Sequence, residues 1–551
     1  MHYRYVRHHT CDATGYFMCL PDPAPALPDA LRLLESRPND SYLNDYILRG
    51  ILKCGSLEIV PQAHGEVVPQ PARALAARAI KLMPELAATC PEALKPAIDE
   101  YPDAPAANTG LKHALNAGLR ANIHQHKSLP RNHDSMLESE YRDHWQKMQN
   151  RRGILKGLRD TFGPERSYTP VDPRLIYEKA QAVLHSSQVS PFGEMRHEAS
   201  LSPIALLRNW NLSAGMEAGR NAHRLEGQAT AYGRGLSLVQ ARVSCAMEII
   251  ERASAHAYVT EAEGSLYAGK NRIIRDSWEN LTRAGYEAVD PCIIGSGQGA
   301  RYMQLHWIKG ERPDGKAVYL PCQAVYLFSN FDENDLSLCQ GSTGLAASSS
   351  MEAARLGALI EIIERYSHAS MPFTVVGCFE LASRDKIIQS LLDDYRWRGI
   401  RVQFQDITSE IDVPAYRCFV QGMDGKIAQS TGASLNGAKA ALAALTETPW
   451  PYSWANPVPA PSGRGLPDLP IRFLEDLPDF SMPSPGDQLA LLEKTMEAMG
   501  IAIAYADLSR QDFGFPVCRA IAEGLEIDPE LERGPGPALL ARTIFNQKRQ
   551  V

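Results

Sequence analysis

Two identical five-residue runs, each with two glutamates and an arginine, have the residue types and spacing best suited to chemistry in this chain. The run EIIER occupies residues 248–252 and again residues 361–365. Both copies lie in stretches with helical periodicity, where residues i and i+3 share a face. Each run therefore predicts a helical turn that carries two carboxylates side by side and an arginine next to them.

Apolar residues beside each run indicate which flank of each helix is buried. They are Val239, Val243, Met247 and Ile250 in the first stretch, and Leu356, Leu359, Ile360 and Ile363 in the second. Each helix can bury this stripe and still turn its carboxylates toward a cleft. The alternative is a pair of amphipathic helices with solvated acidic faces, and the repetition alone does not decide between the two.

Two neighbouring carboxylates repel each other unless a cation neutralises them. Arg252 and Arg365 are the nearest cations in sequence, and a metal ion is the other candidate. Mg²⁺ prefers oxygen ligands and usually binds together with substrate phosphates. Four glutamates from two helices are therefore suited to hold Mg²⁺ against a triphosphate.

The composition excludes several classes of protein. The 551 residues carry a net charge of −7. This negative charge argues against a generally basic surface that binds nucleic acids. The 11 cysteines include no CxxC pair, which argues against a structural zinc site. No apolar run approaches the roughly 20 residues that cross a bilayer, and the N-terminus lacks the apolar core of a signal peptide. We expect a cytoplasmic protein with no nucleic-acid or membrane partner.

The sequence changes character near residue 160. Residues 1–160 combine Pro-rich breaks with short Ala- and Leu-rich stretches, which predicts a mostly helical N-terminal extension. Residues 161–551 mix strand-like runs, such as RVQFQDI and IAIAYADL, with longer helices. These strands do not alternate one-for-one with helices. We therefore predict an α+β domain with mixed sheets flanked by the carboxylate-bearing helices, rather than a doubly wound parallel sheet.

Four segments, in the same order, resemble the YcaO family. YGRGLSLVQARVSCAMEIIERASAHA resembles the family's G-K-G…S-A-x-x-E-x-x-E-R segment, and STGLAASSSMEAARLGALIEIIERYSHA resembles its S-N-G-L-A…E-x-x-E-R segment. ASLNGAKAALAALTE resembles the third segment, which ends in R-A-x-x-E, and GIAIAYADLSRQDFGFPVCRAIAEGLE resembles the closing stretch. The four cover about residues 166–527 and leave the first 160 residues outside.

The resemblance implies ATP- and Mg²⁺-dependent activation of a peptide backbone amide by residues 161–551. In this family a Cys, Ser or Thr side chain, or a sulfide donor, adds to the amide carbon. The amide oxygen is then phosphorylated and leaves as phosphate, which gives an azoline or a thioamide together with ADP. ATP and Mg²⁺ are thus the implied cofactors, and a peptide or a protein is the implied substrate.

The family's site residues transfer to this sequence position by position. The implied metal ligands are Glu248, Glu251, Glu361 and Glu364. The implied ATP-binding residues are Ser244, Arg234, Arg252, Arg365 and Glu447, and Arg365 and Glu447 are also the implied catalytic residues.

Some positions depart from the family pattern. The lysine of G-K-G is Arg234, which keeps the charge and changes the geometry. An asparagine expected after the second segment's S-N-G-L-A is Ser349, which we assign to ATP binding. The arginine expected four residues before Glu447 is Ala443, and Lys439, one turn earlier, is the candidate ATP ligand in its place.

A further metal glutamate is expected eight residues before Glu361, where this chain has Ala353. Glu352 is adjacent and is the remaining candidate. At a nine-residue spacing it lies about 180° around an ideal helix from Glu361. Glu352 therefore serves as a ligand only if the helix starts late or is distorted.

These departures motivate a second hypothesis. The protein is then a degenerate member of the fold that binds a peptide or a nucleotide and organises a partner without turning over ATP. The resemblance also allows a TfuA-type partner, a partner that recognises a leader peptide, and a homodimer. The sequence does not separate azoline from thioamide formation, because both begin with the same activation.

Overall fold

The computed structural model describes residues 1–8, 16–65, 67–95, 109–130, 135–162, 168–294, 298–336, 341–452, 460–528 and 534–547. The α-helices within these ranges are α1 (Leu27–Leu33), α2 (Ser41–Cys54), α3 (Ile59–His64), α4 (Gln70–Leu82), α5 (Thr109–Gln125), α6 (Ser135–Arg151), α7 (Ile154–Thr161), α8 (Pro173–Ser186), α9 (Leu238–Ala255), α10 (Trp278–Arg283), α11 (Pro291–Ile294), α12 (Cys322–Val325), α13 (Met351–Ser370), α14 (Lys386–Trp397), α15 (Gly437–Glu447), α16 (Pro485–Ala498) and α17 (Pro537–Gln547).

The strands are β1 (His2–His8), β2 (Tyr16–Pro21), β3 (Met195–Arg196), β4 (Ile204–Met216), β5 (His223–Gly235), β6 (Tyr258–Ala262), β7 (Ser265–Ala268), β8 (Asn271–Asp276), β9 (Leu305–Glu311), β10 (Ala317–Pro321), β11 (Leu345–Ala347), β12 (Cys378–Ala382), β13 (Gln403–Asp406), β14 (Ala415–Gln421), β15 (Ile427–Ala433), β16 (Ile471–Phe473), β17 (Ile503–Asp507) and β18 (Val517–Ala522). The predicted strands RVQFQDI and IAIAYADL contain β13 and β17.

These strands form a large sheet and a small one. The large sheet runs β11-β18-β17-β9-β8-β7-β6-β4-β5-β1-β2, with β10 on β9 and β3 on β4. The small sheet runs β15-β14-β13-β12-β16. Pairing is antiparallel except at β1–β5, β4–β6 and β12–β16. Both sheets are therefore mixed, which confirms the predicted α+β class.

The two EIIER runs lie in long helices that begin at serine caps. Ser237 and Gln240 form a capping box at the start of α9. Ser350 accepts from the Ala353 main-chain N–H at 3.2 Å at the start of α13. Such caps satisfy backbone donors that the first helical turn leaves unpaired. Both helices thus begin well before their carboxylates.

Short residues let the helices lie directly on the strands that precede them in the motifs. A Cβ placed on Gly233 of β5 would lie 2.6 Å from Cys245 Cβ of α9. A Cβ on Gly432 of β15 would lie 2.5 Å from the Ala440 carbonyl oxygen of α15. Any larger residue would push helix and strand apart, so these glycines allow each helix to pack closely on its strand.

The N-terminal region is mostly helical, as predicted, but it begins with two strands that join the large sheet. Helices α1 to α4 surround their own apolar core, which includes Leu31, Leu43, Ile47 and Leu75. Strand β1 pairs with β2 and with β5. The domain boundary near residue 160 stays a prediction. No described helix is both long and apolar enough to cross a membrane.

Candidate active site

The first EIIER run forms the first wall of the candidate site, with Glu248, Glu251 and Arg252 on α9. Glu248 accepts from the Tyr232 main-chain N–H at 2.7 Å, which ties α9 to β5. Arg252 Nη1 lies 3.0 Å from Glu251 Oε1, and Arg252 Nη2 lies 3.7 Å from Glu248 Oε1. The three side chains are only 15–26% exposed. The arginine therefore neutralises the adjacent carboxylates in a largely desolvated place.

The second run repeats this arrangement more loosely. Arg365 lies 3.8 Å from Glu361 and 3.9 Å from Glu364, both measured from guanidinium nitrogen to carboxylate oxygen. Glu364 also accepts from Thr431 Oγ of β15 at 2.7 Å. Because β15 belongs to the small sheet, this wall connects the two sheets.

A third pair closes the group. Arg234 Nη1, on β5, lies 2.6 Å from Glu447 Oε2, at the end of α15. The charge of Glu447 also acts on Glu248, on Glu364 and on Arg365. Glu447 therefore lies between the two walls, and the residue at the family's lysine position pairs with the glutamate of the third segment.

The two walls lie within electrostatic reach of each other. Burial, together with the charges of Glu361 and Glu248, raises the pKa of Glu251 to about 8 against the opposing charge of Arg252. Burial likewise raises the pKa of Glu361 to about 7, opposed by both Arg365 and Arg252. Carboxylates held in this way are unfavourable as anions unless more positive charge arrives.

These residues fit Mg²⁺ and a polyphosphate by their chemistry. Five carboxylates face three guanidinium groups: Glu248, Glu251, Glu361, Glu364 and Glu447 with Arg234, Arg252 and Arg365. Arg252 Nη1 and Arg234 Nε are buried and make no hydrogen bond. Among the described residues no three His, Cys, Asp or Glu side chains are grouped closely enough to hold a metal by themselves. Mg²⁺ usually takes one or two carboxylates together with phosphate oxygens, so this spacing suits a metal that arrives with a nucleotide.

Three further predicted site residues lie on α9, just before α13 and on α15. Ser244 is exposed one turn before Glu248, and Ser349 is exposed just before α13. Lys439 lies in the first turn of α15, where its main-chain N–H is capped by Asn436 at 2.9 Å. Eight residues of helix, about 12 Å of rise, separate Lys439 from Glu447.

Glu352 lies in the first turn of α13, and its assignment as a metal ligand stays a prediction. Helix α13 starts at Met351 without delay, so the late start that Glu352 needs is absent. A Cβ placed on Gly486 of α16 would lie 3.9 Å from Glu352 Cγ. The side chain therefore faces α16, on the side of α13 away from Glu361.

One residue that the sequence did not single out shapes the second wall. Arg519, fully buried on β18, donates to the carbonyl oxygens of Thr343, Gly341 and Val325. Its charge also acts on Glu251 and Glu361. Arg519 therefore fixes the turn that leads into β11 and α13. Its position close to the family's closing P-V is the feature of the sequence that could have identified it.

Comparison with known proteins assigns this region to a family. Residues 232–449 match the family model described as YcaO cyclodehydratase, ATP- and Mg²⁺-binding. Residues 232–449 are a YcaO domain. The match begins at Tyr232, contains both EIIER runs and ends just after Glu447. It confirms the predicted resemblance, and the family description names the two predicted cofactors, ATP and Mg²⁺.

Proteins of different length are similar to this chain. An uncharacterised protein of Methanothermobacter thermautotrophicus is 27% identical in an alignment of 349 positions that covers 55% of this chain and 85% of that protein. A YcaO structure from Methanopyrus kandleri, bound with AMPPCP and Mg²⁺, has 19% identity and a TM-score of 0.45 over 66% of this chain and 94% of that one. A heterocyclase in complex with substrate and cofactor has 17% identity and a TM-score of 0.49 over 66% of this chain, and this chain spans 53% of its length.

Proposed function

We propose that this protein uses ATP and Mg²⁺ to activate a backbone amide in a peptide or protein substrate. A nucleophile, either a Cys, Ser or Thr side chain or a sulfide donor, adds to the amide carbon and loses its proton. The former amide oxygen then bonds to the γ-phosphorus of ATP, and ADP leaves. The C–O bond breaks next and phosphate leaves, so that one ATP gives one azoline or thioamide, ADP and phosphate.

The residues of the two walls divide the work in this proposal. Mg²⁺ supplies charge neutralisation to the phosphates when it is bound. Glu248, Glu251, Glu361 and Glu364 hold the metal, and Arg252 and Arg365 donate to phosphate oxygens. Guanidinium groups fixed in advance in a desolvated cleft stabilise the charge that develops on the transferred phosphoryl group.

The observation that carries the proposal is the grouping of carboxylates with arginines from separate elements, in which Arg252 lies 3.0 Å from Glu251 and Arg234 of β5 lies 2.6 Å from Glu447 of α15. Two buried carboxylates from different helices lie within electrostatic reach of each other, each with only one arginine of its own run. Two ionised carboxylates this close to each other are unfavourable. A cation that binds between them inside the YcaO domain would offset this cost, as is typical of functional sites.

The alternative is a protein that binds a nucleotide or a peptide without turnover. The family positions occupied by Ser349, Ala353 and Ala443 favour it, because these residues lack the amide, carboxylate and guanidinium groups of the family pattern. In this case the same cleft binds ATP without forming a chemical product. A partner then recognises the nucleotide-bound state. A TfuA-type partner, a leader-recognition partner and a homodimer remain proposals for either function.

The deciding experiment measures Mg²⁺-dependent ATP binding by calorimetry and ADP release by a coupled assay. The parent protein is compared with Glu251→Ala and Glu364→Ala. Binding and ADP release that both depend on these glutamates support the enzyme. Tight binding with no ADP release, also in the presence of a cognate peptide and partner, supports the alternative. A parent protein that binds no nucleotide contradicts both forms of the proposal.

A further inference from the structure

The N-terminal strand reaches the cleft although it lies outside the YcaO domain. Strand β1 pairs in parallel with β5, from His2 opposite Arg224 to Tyr5 opposite Gly227. Strand β5 is the strand that continues into Tyr232 and Arg234. A Cβ on Gly227 would lie 2.9 Å from Tyr5 Cβ, so the glycine allows the two strands to approach. The chain thus brings its first residues alongside the first motif.

Strand β1 is held firmly in this place. The Tyr3 hydroxyl donates to Asp40 at 2.7 Å, and the N-terminal ammonium of Met1 donates to the Ala222 carbonyl oxygen at 2.9 Å. The ring of Tyr5 stacks on Phe17 with centroids 4.7 Å apart. Tyr3 and Tyr5 are both buried. Because side chains alternate along a strand, Arg7 lies on the same face as these two anchors, and Arg4 lies on the other face.

Arg7 reaches the candidate site through a contact with Tyr232. Arg7 Nη1 donates to the Tyr232 hydroxyl at 3.1 Å, while the main-chain N–H of Tyr232 donates to Glu248 at 2.7 Å. The guanidinium carbon of Arg234 lies 5.7 Å from the centre of the Tyr232 ring. Tyr232 therefore stands between two arginines, one from β1 and one from β5, and touches the first metal carboxylate with its backbone.

A third basic side chain borders this pair of arginines. The ring of His197 lies 4.9 Å from that of Tyr232. Burial lowers the pKa of His197, and the charges of Arg234 and Arg7 lower it further. His197 Nδ1 and Arg234 Nε are buried and make no hydrogen bond. The place thus combines positive charge with polar atoms that lack partners.

We infer that Arg7, Arg234 and Tyr232 form an anion subsite that binds a phosphate group beside the carboxylates of the first wall. Two guanidinium groups and a phenol offer donors that match phosphate oxygens, and guanidinium forks bind such oxygens bidentately. Arg7 is a binding residue in this subsite, and the Tyr232 hydroxyl positions it. The inference deepens the proposed ATP site and rests on it.

Arg7 and Arg4 offer a matched test, because they are the same residue type on opposite faces of one strand. Affinities for Mg·ATP, Mg·ADP and adenosine are measured by calorimetry for the parent, Arg7→Gln, Arg7→Lys and Arg4→Gln. We expect Arg7→Gln to weaken Mg·ATP binding about tenfold, as for the loss of one charge-assisted hydrogen bond, and to leave adenosine binding within about twofold. Arg7→Lys should recover part of the loss, and Arg4→Gln should match the parent.

The nucleotides also identify which phosphate is bound. A loss confined to Mg·ATP places Arg7 on the terminal phosphate, and an equal loss for Mg·ATP and Mg·ADP places it on an inner one; both results support the subsite. Tyr232→Phe provides a second variant, which keeps the ring and should weaken Mg·ATP binding less than Arg7→Gln. Equal affinities for Arg7→Gln and Arg4→Gln, or an equal loss for adenosine and Mg·ATP, overturn the inference while the proposed function stands. A parent that binds no nucleotide overturns the proposed function, and the subsite with it.

Discussion

Tyr366, the residue after Arg365, donates a 2.5 Å hydrogen bond from its hydroxyl to Glu410. Glu410 is fully buried and also pairs with Arg542 of α17, while Arg151 of α6 lies 3.9 Å away. Helices α6 and α17 pack against each other. A hydroxyl on α13 therefore links the second EIIER run to helices from both ends of the chain.

Removing the Tyr366 hydroxyl should disturb the second wall, although Tyr366 itself does not belong to that wall. We expect Tyr366→Phe to destabilise the fold by about 1–3 kcal/mol, because a buried carboxylate loses a donor. Mg·ATP affinity should fall severalfold, since α13 loses a contact that fixes the position of Arg365. Urea unfolding and calorimetry measure the two effects.

Tyr395→Phe is the matched control. The Tyr395 hydroxyl, buried as well, donates at 2.5 Å to the Leu201 carbonyl oxygen, beside the small sheet and away from both walls. This variant should lose stability and keep the nucleotide affinity of the parent. If both variants bind Mg·ATP as the parent does, Tyr366 only stabilises the fold.

Nucleotide binding should relieve the buried negative charge of the walls. Mg·ATP at about 100 times its Kd should add about 2.7 kcal/mol to the free energy of unfolding, and EDTA should remove this gain. Glu251→Gln and Glu361→Gln should abolish the response. Without metal at about pH 9, where both carboxyls of the parent are ionised against the cost of burial, these variants should be at least as stable as the parent.

Glu194→Gln is the control for this experiment. Glu194, just before β3, pairs with Arg242 of α9 at 2.9 Å, outside the two walls. Its variant should keep the full response to Mg·ATP. A normal response in Glu251→Gln and Glu361→Gln would show that the metal does not bind between the walls.

Arg234 should tolerate the residue that the YcaO pattern has at its position. We expect Arg234→Lys to bind Mg·ATP within about threefold of the parent, because the positive charge beside Glu447 remains. Arg234→Ala should lose about tenfold or more, as expected for a lost charge-assisted contact. Arg242→Ala removes an ion pair from the outer side of α9 and should leave affinity unchanged. Equal affinities for Arg234→Ala and Arg242→Ala would exclude Arg234 from the nucleotide site.

Local patterns in the sequence predicted the parts of the site that lie on one element. The three-residue spacing of Glu248 and Glu251 and of Glu361 and Glu364 is sufficient to place each pair on one face. The same helical geometry turns Glu352, nine residues before Glu361, to the opposite side of α13, where it lies beside α16.

Contacts between distant parts of the chain were outside the reach of such patterns. Arg7 and Tyr232 are 225 residues apart, and Tyr366 and Glu410 are 44 apart. No periodicity records which strand becomes the neighbour of β5 or which loop covers the back of α13. Both contacts follow from sheet order and packing, which only the fold specifies.

The closing GLE of the fourth segment holds a carboxyl that should make stability depend on pH. Glu526 Oε1 accepts from the Ala538 main-chain N–H at 2.9 Å, at the start of α17, while Oε2 is buried without a hydrogen bond. Burial, together with the smaller effect of the Glu410 charge, raises the pKa of Glu526 to about 7 against the opposing Ala538 N–H and Arg542.

The sign of the dependence follows from this shift. Because the pKa of Glu526 in the folded protein is above its value in the unfolded chain, the folded protein binds more protons between about pH 4.5 and 7. The stabilisation is therefore complete at low pH and is lost as the pH rises through about 7. Glu526→Gln keeps an acceptor for Ala538 and should reduce the fall in unfolding free energy between about pH 5 and 8, at most about 1.4 kcal/mol per pH unit. Urea unfolding across this range measures it, with Tyr395→Phe as a destabilised control that retains the carboxyl. Parallel curves for the parent and Glu526→Gln would place the titration elsewhere.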